Sequence, residues 1–166
     1  MYYDYLITNK ISAKWIQTLQ TEIDSTVILG PIFSEKIIHA RNDKEQLINK
    51  LNLKNYEHII TYVDTPAGLY AESSISIYKD FMRSLIILSK NNMNICYLLK
   101  TKKPLNSILK LNDNELNILM KEVLNAENII YINDLDISVY QAIGMSDLTI
   151  SGRKSSLVYE ALHARQ

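Results

Sequence analysis

The feature that most limits how this chain can fold is an alternation that runs along nearly all of it. Short apolar runs bounded by turn residues take turns with longer stretches in which apolar residues recur at helical spacing. That order predicts a parallel sheet with helical crossovers, because a strand can return in the same direction only through a connection long enough to hold a helix. The strand-like runs are Tyr5 to Thr8, Ser25 to Leu29, His58 to Val63, Asn94 to Leu99, Asn128 to Ile132 and Leu148 to Ile150. Helices are expected over about 12–23, 42–51, 76–90, 112–124 and 137–145, with a last one starting near Ser155. Ser12 reads as an N-cap, and the pairs Asn42/Glu45 and Asn112/Glu115 have capping-box spacing. Leu47, Ile48 and Leu51 share one helix face, and Gly30-Pro31 ends the second strand. The expected fold class is α/β, a Rossmann-like parallel sheet with helices on both faces, since the strands from His58 onward are bounded, apolar on both faces and separated by helices.

Composition removes several function classes. Lys plus Arg and Asp plus Glu number 18 each, so no global field favours nucleic acid or an anionic membrane, and any anion site must be local. No apolar run approaches the roughly 20 residues of a membrane span, which leaves only peripheral association with the inner membrane open. The start Met1-Tyr2-Tyr3-Asp4-Tyr5 lacks the basic and long apolar segments of a secretory signal, so a cytoplasmic location is expected. The single cysteine, Cys96, sits inside an apolar run as a core thiol, and His39, His58 and His163 are too scattered for a zinc site.

A parallel sheet of this kind binds ligands at the carboxyl ends of its strands. The loops there are Asp64-Thr65-Pro66, Lys100-Thr101-Lys102-Lys103, Asn133-Asp134-Leu135-Asp136 and Ser151-Gly152-Arg153-Lys154-Ser155-Ser156. The last opens a helix. Gly152 permits close approach of the backbone, Ser155 and Ser156 offer hydroxyls, Arg153 and Lys154 add charge, and the helix start offers unpaired N–H groups. The segment reads equally as a serine-capped turn or as a phosphate grip. Glu160, four residues after Ser156 on the same helix face, suits a bidentate bond to ribose hydroxyls and favours the second reading. Asp64, Thr65, Asn133 and Asp134 are candidate loop contacts. Asp134 and Asp136 have the spacing of a metal-binding pair but precede a helix and are expected to cap it.

The stretch Ala142 to Leu162, with Ser146-Asp147-Leu148-Thr149-Ile150-Ser151, Ser155-Ser156 and Glu160-Ala161, resembles the donor-binding segment of GT-B-fold nucleotide-sugar glycosyltransferases of capsule and surface-polysaccharide biosynthesis. The resemblance implies that Ser155 and Ser156 contact the donor phosphate and that Glu160 binds the ribose. It implies that Lys100 and Lys102 face the same phosphate, so that transfer is metal-independent with the nucleotide-sugar as substrate and no cofactor. It covers about Glu57 to Arg165, which makes 57–166 a donor domain and 1–56 the remnant of an acceptor-side domain with its crossover. Nucleotide-sugar epimerases share this donor half. The pattern usually continues with another strand after the glutamate helix, whereas this chain reads His163-Ala164-Arg165-Gln166 and stops, so a truncated donor half lacking its catalytic base is expected. A missing acceptor domain or a homodimer partner is then expected beside it, with Tyr2, Tyr3 and Tyr5 as a candidate contact. A nucleotide-binding module without catalysis and a phospho-relay receiver are the other readings, the receiver matching only Asp64 and Asn133-Asp134 loosely.

Overall fold

The computed structural model describes residues 3–7, 23–28, 33–64, 74–132, 137–152 and 156–164. Strands β1 (Tyr3–Ile7) and β2 (Ile23–Ile28) pair in parallel with each other. The helix expected over 12–23 lies outside the described residues, apart from Ile23, which is already in β2. Helices α1 (Ser34–Asn42) and α2 (Lys44–Lys50) then lead to β3 (His58–Val63). The chain continues through α3 (Ile75–Asn91), β4 (Ile95–Lys100), α4 (Leu105–Leu109), α5 (Asn114–Asn125), β5 (Ile129–Ile132), α6 (Val139–Met145), β6 (Leu148–Ser151) and α7 (Ser156–Ala164). Strands β3 to β6 form an all-parallel sheet in the order β5-β4-β3-β6, an α/β Rossmann-like arrangement with helices on both faces.

Strand alternation sorts the two faces. Tyr62, Tyr97, Leu99 and Ile129 turn to one side, where α3 and α5 supply Tyr78, Met82, Leu85, Leu116, Met120 and Val123. Ile59, Cys96, Leu98 and Ile132 turn to the other, where Ala40, Leu47, Ala142 and Met145 of α1, α2 and α6 cover them. Helix α7 joins that second layer, packing Ala161 and Ala164 against Ile37 and Ile143. Cys96 is fully buried, as its neighbours in the sequence require, and burial pushes its thiol up to about 12.

Two of the expected helix starts fall elsewhere. Asn42 is the last residue of α1, not the opening of a helix, because Ile37 and Ala40 give the polar-looking segment before it a buried stripe. Asn112 has φ 53°, in the left-handed region, and Asp113 caps α5 by accepting from the Leu116 N–H at 2.9 Å. Glu115 then reaches Lys79 and Arg83 across to α3 instead of closing a capping box. The capping box that does form, Ser138 with Gln141 at the start of α6, was hidden in the sequence inside a longer apolar stretch.

A buried amide ties together the amino end of the sheet. Asn128, 1% exposed, donates to the carbonyls of Ser89, Asn92 and Ile95, and accepts from the Ser89 hydroxyl. It thereby holds the end of α3, the turn after it and the start of β4 to the start of β5. On the opposite face, α1 crosses α6 at Gly144, where a Cβ would stand 2.6 Å from the Ala40 Cβ and 2.7 Å from the Ile37 carbonyl oxygen. Neither neighbour is a flexible side-chain end, so the helices would have to separate. Gly144→Ala is expected to destabilise the protein by about 1–3 kcal/mol despite its better helix propensity. Urea unfolding followed by circular dichroism measures this; an unchanged or raised midpoint would show that the crossing is looser than described.

Candidate functional site

Register aligns two of the expected site residues. At the carboxyl end of the sheet Val63 of the central strand pairs with Lys100 on one side and Ser151 on the other. With strands about 4.8 Å apart, the Cα atoms of Lys100 and Ser151 lie roughly 10 Å from each other. Alternation from Cys96 and Leu98 sends the Lys100 side chain to the layer of α1, α6 and α7, and Ser151 shares that side. The Gly152 N–H donates to the Val63 carbonyl at 3.2 Å, so the loop entering α7 leaves directly from this row. Lys100 is 7% exposed, whereas Lys102 and Lys103 are exposed on the following turn.

Asp64, the first residue after β3, organises that turn. Its Oδ1 accepts from the Lys102 N–H at 2.6 Å, its Oδ2 accepts from the Tyr78 hydroxyl at 2.8 Å, and its own N–H donates to the Lys100 carbonyl. The carboxyl is 4% exposed, and burial pushes its pKa up against the opposing effect of these hydrogen bonds and of Lys102 and Lys100. Thr101 completes the turn by donating to the Lys103 carbonyl and meeting the Tyr131 hydroxyl. Expected in the sequence as a loop contact, Asp64 is here engaged in shaping the lysine turn. Tyr78, 14 residues downstream on α3, gave no sequence signal of that role, because nothing in the spacing links a strand end to the first turn of the next helix.

Glu160 stands in the second turn of α7. It shares a face with Leu157 and Ala164, which pack against Ile37, Ile143, Val139 and Tyr140. It is 8% exposed, and its Oε2 has no hydrogen-bond partner among the described residues. Burial pushes its pKa up, and its charge adds to burial in raising the Tyr140 phenol. Tyr140 in turn stacks on Phe33 with ring centroids 5.3 Å apart, and the Lys36 ammonium lies 5.1 Å from the Phe33 centroid. This aromatic and cationic cluster on α1 and α6 was not expected from the sequence; its parts lie more than a hundred residues apart.

Asp147, part of the quoted motif, serves a different purpose. It precedes β6 at the amino end of the sheet, where its Oδ2 accepts from the Ile59 N–H at 2.9 Å and its own N–H donates to the Ile59 carbonyl. Lys44 donates to its Oδ1 at 2.8 Å. Desolvation opposes ionisation, but Lys44, the Ile59 N–H and His58 together hold the carboxyl below its ordinary value. A cleft of about 510 Å³ at this edge, lined by Lys44, Ile48, Leu53, Tyr56 and Asp147 among others, is distant from the carboxyl loops, and Lys44 and Asp147 are occupied with each other there.

Thr65, Asn133, Asp134, Arg153 and Ser155, with Asp136 and Lys154, lie outside the described residues, and of Ser156 only the backbone position as first residue of α7 is described. Among the described residues no group of three His, Cys, Asp or Glu side chains could hold a metal ion, and no helix is long and apolar enough to cross a membrane. No protein-family profile matches the chain, and no curated protein is significantly similar to it in sequence.

Two titrations check this geometry. Asp147 has a depressed folded-state pKa, so its contribution to stability is present above the unfolded value near 3.9 and is lost as pH falls through the folded one. Asp147→Asn is expected to be less stable than the parent at neutral pH, with the gap closing below about pH 3 in acid unfolding curves. Glu160 has the opposite sign: its ionised form opposes folding above the folded pKa, and the penalty is relieved as pH falls toward the unfolded value near 4.3. Glu160→Gln is therefore expected to raise the Tm at about pH 8, with the gain shrinking toward about pH 4. A variant less stable at the higher pH would mean that the carboxylate is paired.

Proposed function

We propose that the chain is the donor-binding part of a nucleotide-sugar glycosyltransferase of surface-polysaccharide biosynthesis. In this reading the donor phosphates sit over the Ser151-to-Ser156 turn and the α7 N-terminus, with Lys100 and Lys102 beside them, and Glu160 takes the ribose hydroxyls. As the sugar leaves, negative charge builds on the departing phosphate, and Lys100, Lys102, Arg153 and the helix N–H groups offset it without a metal. Thr65, Asn133 and Asp134 belong to loops that would surround the rest of the donor. The chemistry further requires an acceptor side, supplied by another domain or subunit, and the expected setting is cytoplasmic.

The observation that carries the reading is the buried oxygen of Glu160 that has no partner among the described residues. An acid 8% exposed with one oxygen lacking a partner among the described residues costs folding free energy, and a ligand that donates hydrogen bonds to it would offset that cost. The row of Lys100 and Ser151 beside Val63 supports it by bringing a cation and a hydroxyl to the same face of the carboxyl edge. A phospho-relay receiver would use Asp64 as an open acid, and that carboxyl is engaged by Tyr78 and Lys102.

Calorimetric titration with nucleoside mono- and diphosphates tests the reading. Micromolar binding is expected, weakened about tenfold or more by Glu160→Ala and by Ser156→Ala, and less salt-dependent in Lys100→Ala. Failure to bind any of these nucleotides would overturn the donor site. Binding without release of nucleotide from a sugar donor, with acceptor extracts present, would favour the non-catalytic module.

A further inference from the structure

The outer face of α3 and α5 carries a pattern that neither the core nor the candidate site uses. The helices run parallel, since Lys79 and Arg83 meet Glu115 while Lys90 meets Glu122. Arg83, Ile87 and Lys90 follow one stripe of α3, and Glu115, Ile118 and Glu122 follow one stripe of α5. Between the two bridging ion pairs therefore lie Ile87, 59% exposed, and Ile118, 64% exposed. Beyond Lys90 and Glu122 the surface dips into a cleft of about 320 Å³ walled by Ile86, Met93 and Ala126, with Met93 itself 54% exposed. One exposed isoleucine is ordinary surface. Three large exposed apolar side chains on one face, framed by charges, have the anatomy of an interface core with a polar rim.

We propose that this face binds a second copy of the chain about a two-fold axis parallel to α3 and α5. Charge selects both the occupant and the axis, because Arg83 and Lys90 outnumber Asp80 on the α3 margin and leave it net basic, while Glu115 and Glu122 line the α5 margin with acid. An axis along the helices lays α3 of each copy over α5 of the other in register, so Arg83 and Lys90 stand over the acidic row of the opposite copy. An axis across the helices would instead lay α3 on α3, cation on cation. The favoured axis also brings Ile87 onto the opposite Ile118, and Met93 over the Ala126 end of the opposite cleft. Each rim cation keeps an acid within its own chain, so the arrangement adds cross-chain pairs without leaving a charge unpaired in the monomer.

Sedimentation velocity on the full chain tests this independently of any ligand. A dimer is expected at micromolar concentrations, loosened by salt, with dissociation constants raised at least about tenfold by Ile118→Glu and by Ile87→Lys. A charge-exchange pair is more specific. The variant carrying Arg83→Glu with Lys90→Glu and the variant carrying Glu115→Lys with Glu122→Lys should each be monomeric alone and should form a heterodimer when mixed. A parent chain still monomeric at about 200 μM would overturn the proposal. So would a dimer that the isoleucine substitutions leave intact, or exchanged variants that fold but do not recombine. Should an exchanged variant fail to fold by circular dichroism, Ile118→Glu and Ile87→Lys, which keep every ion pair, decide the matter.

Discussion

The pairing of β6 with β3 is the contact on which the arrangement of the carboxyl edge depends. The two strands come from distant parts of the chain, and the pairing is clamped at its start by the two hydrogen bonds between Asp147 and Ile59. Thr61, fully buried in the middle of β3, meets the Ser146 hydroxyl at 2.6 Å and donates to the Ala142 carbonyl, tying the end of α6 to the same strand. Once the start is fixed, register does the rest. A shift of one residue would turn Ser151 to the opposite face and separate it from Lys100. The carboxylate at one edge of the sheet thus sets the geometry at the other, which gives Asp147 a role in the site without placing it there.

The helical layer over this edge is held by close contacts and not by area alone. Gly144 lets α1 and α6 approach until backbone meets Ala40, and Arg41 donates to the carbonyl of Ala164 at 2.6 Å, closing the end of α7 onto α1. These contacts make 34–50 part of the layer that buries Glu160. The Glu160 oxygen that has no partner among the described residues is thus enclosed by a closely packed layer. Asp64 does the corresponding work for the cations, fixing the turn after β4 by its backbone so that Lys100 and Lys102 start from a defined position.

How much of this could be read in the sequence varies with the range of the interaction. The runs from His58 to Val63, Asn94 to Leu99, Asn128 to Ile132 and Leu148 to Ile150 became β3 to β6 within a residue or two at each end, because short apolar runs bounded by turn residues bury well as strands of a sheet covered by helices on both faces. The same logic failed for 34–42, where Ile37 and Ala40 are too sparse a stripe to stand out until α6 supplies the surface they pack on. Capping was misplaced by one residue at Asn112, since Asn suits both the left-handed end of one turn and the start of the next helix.

The sequence by itself determined the α/β class, the alternation of strands and helices from His58 onward and the burial of Cys96, all of which follow from local periodicity and turn chemistry. It also singled out Lys100, Ser151, Gly152 and Glu160 by residue type and spacing. Only the tertiary structure decided that Lys100 and Ser151 flank Val63, that Asp64 and Tyr78 shape the lysine turn, and that one oxygen of Glu160 is buried without a partner among the described residues. The physical reason is that strand register and burial are set by contacts between residues far apart in the chain, and no window of sequence contains both sides of such a contact.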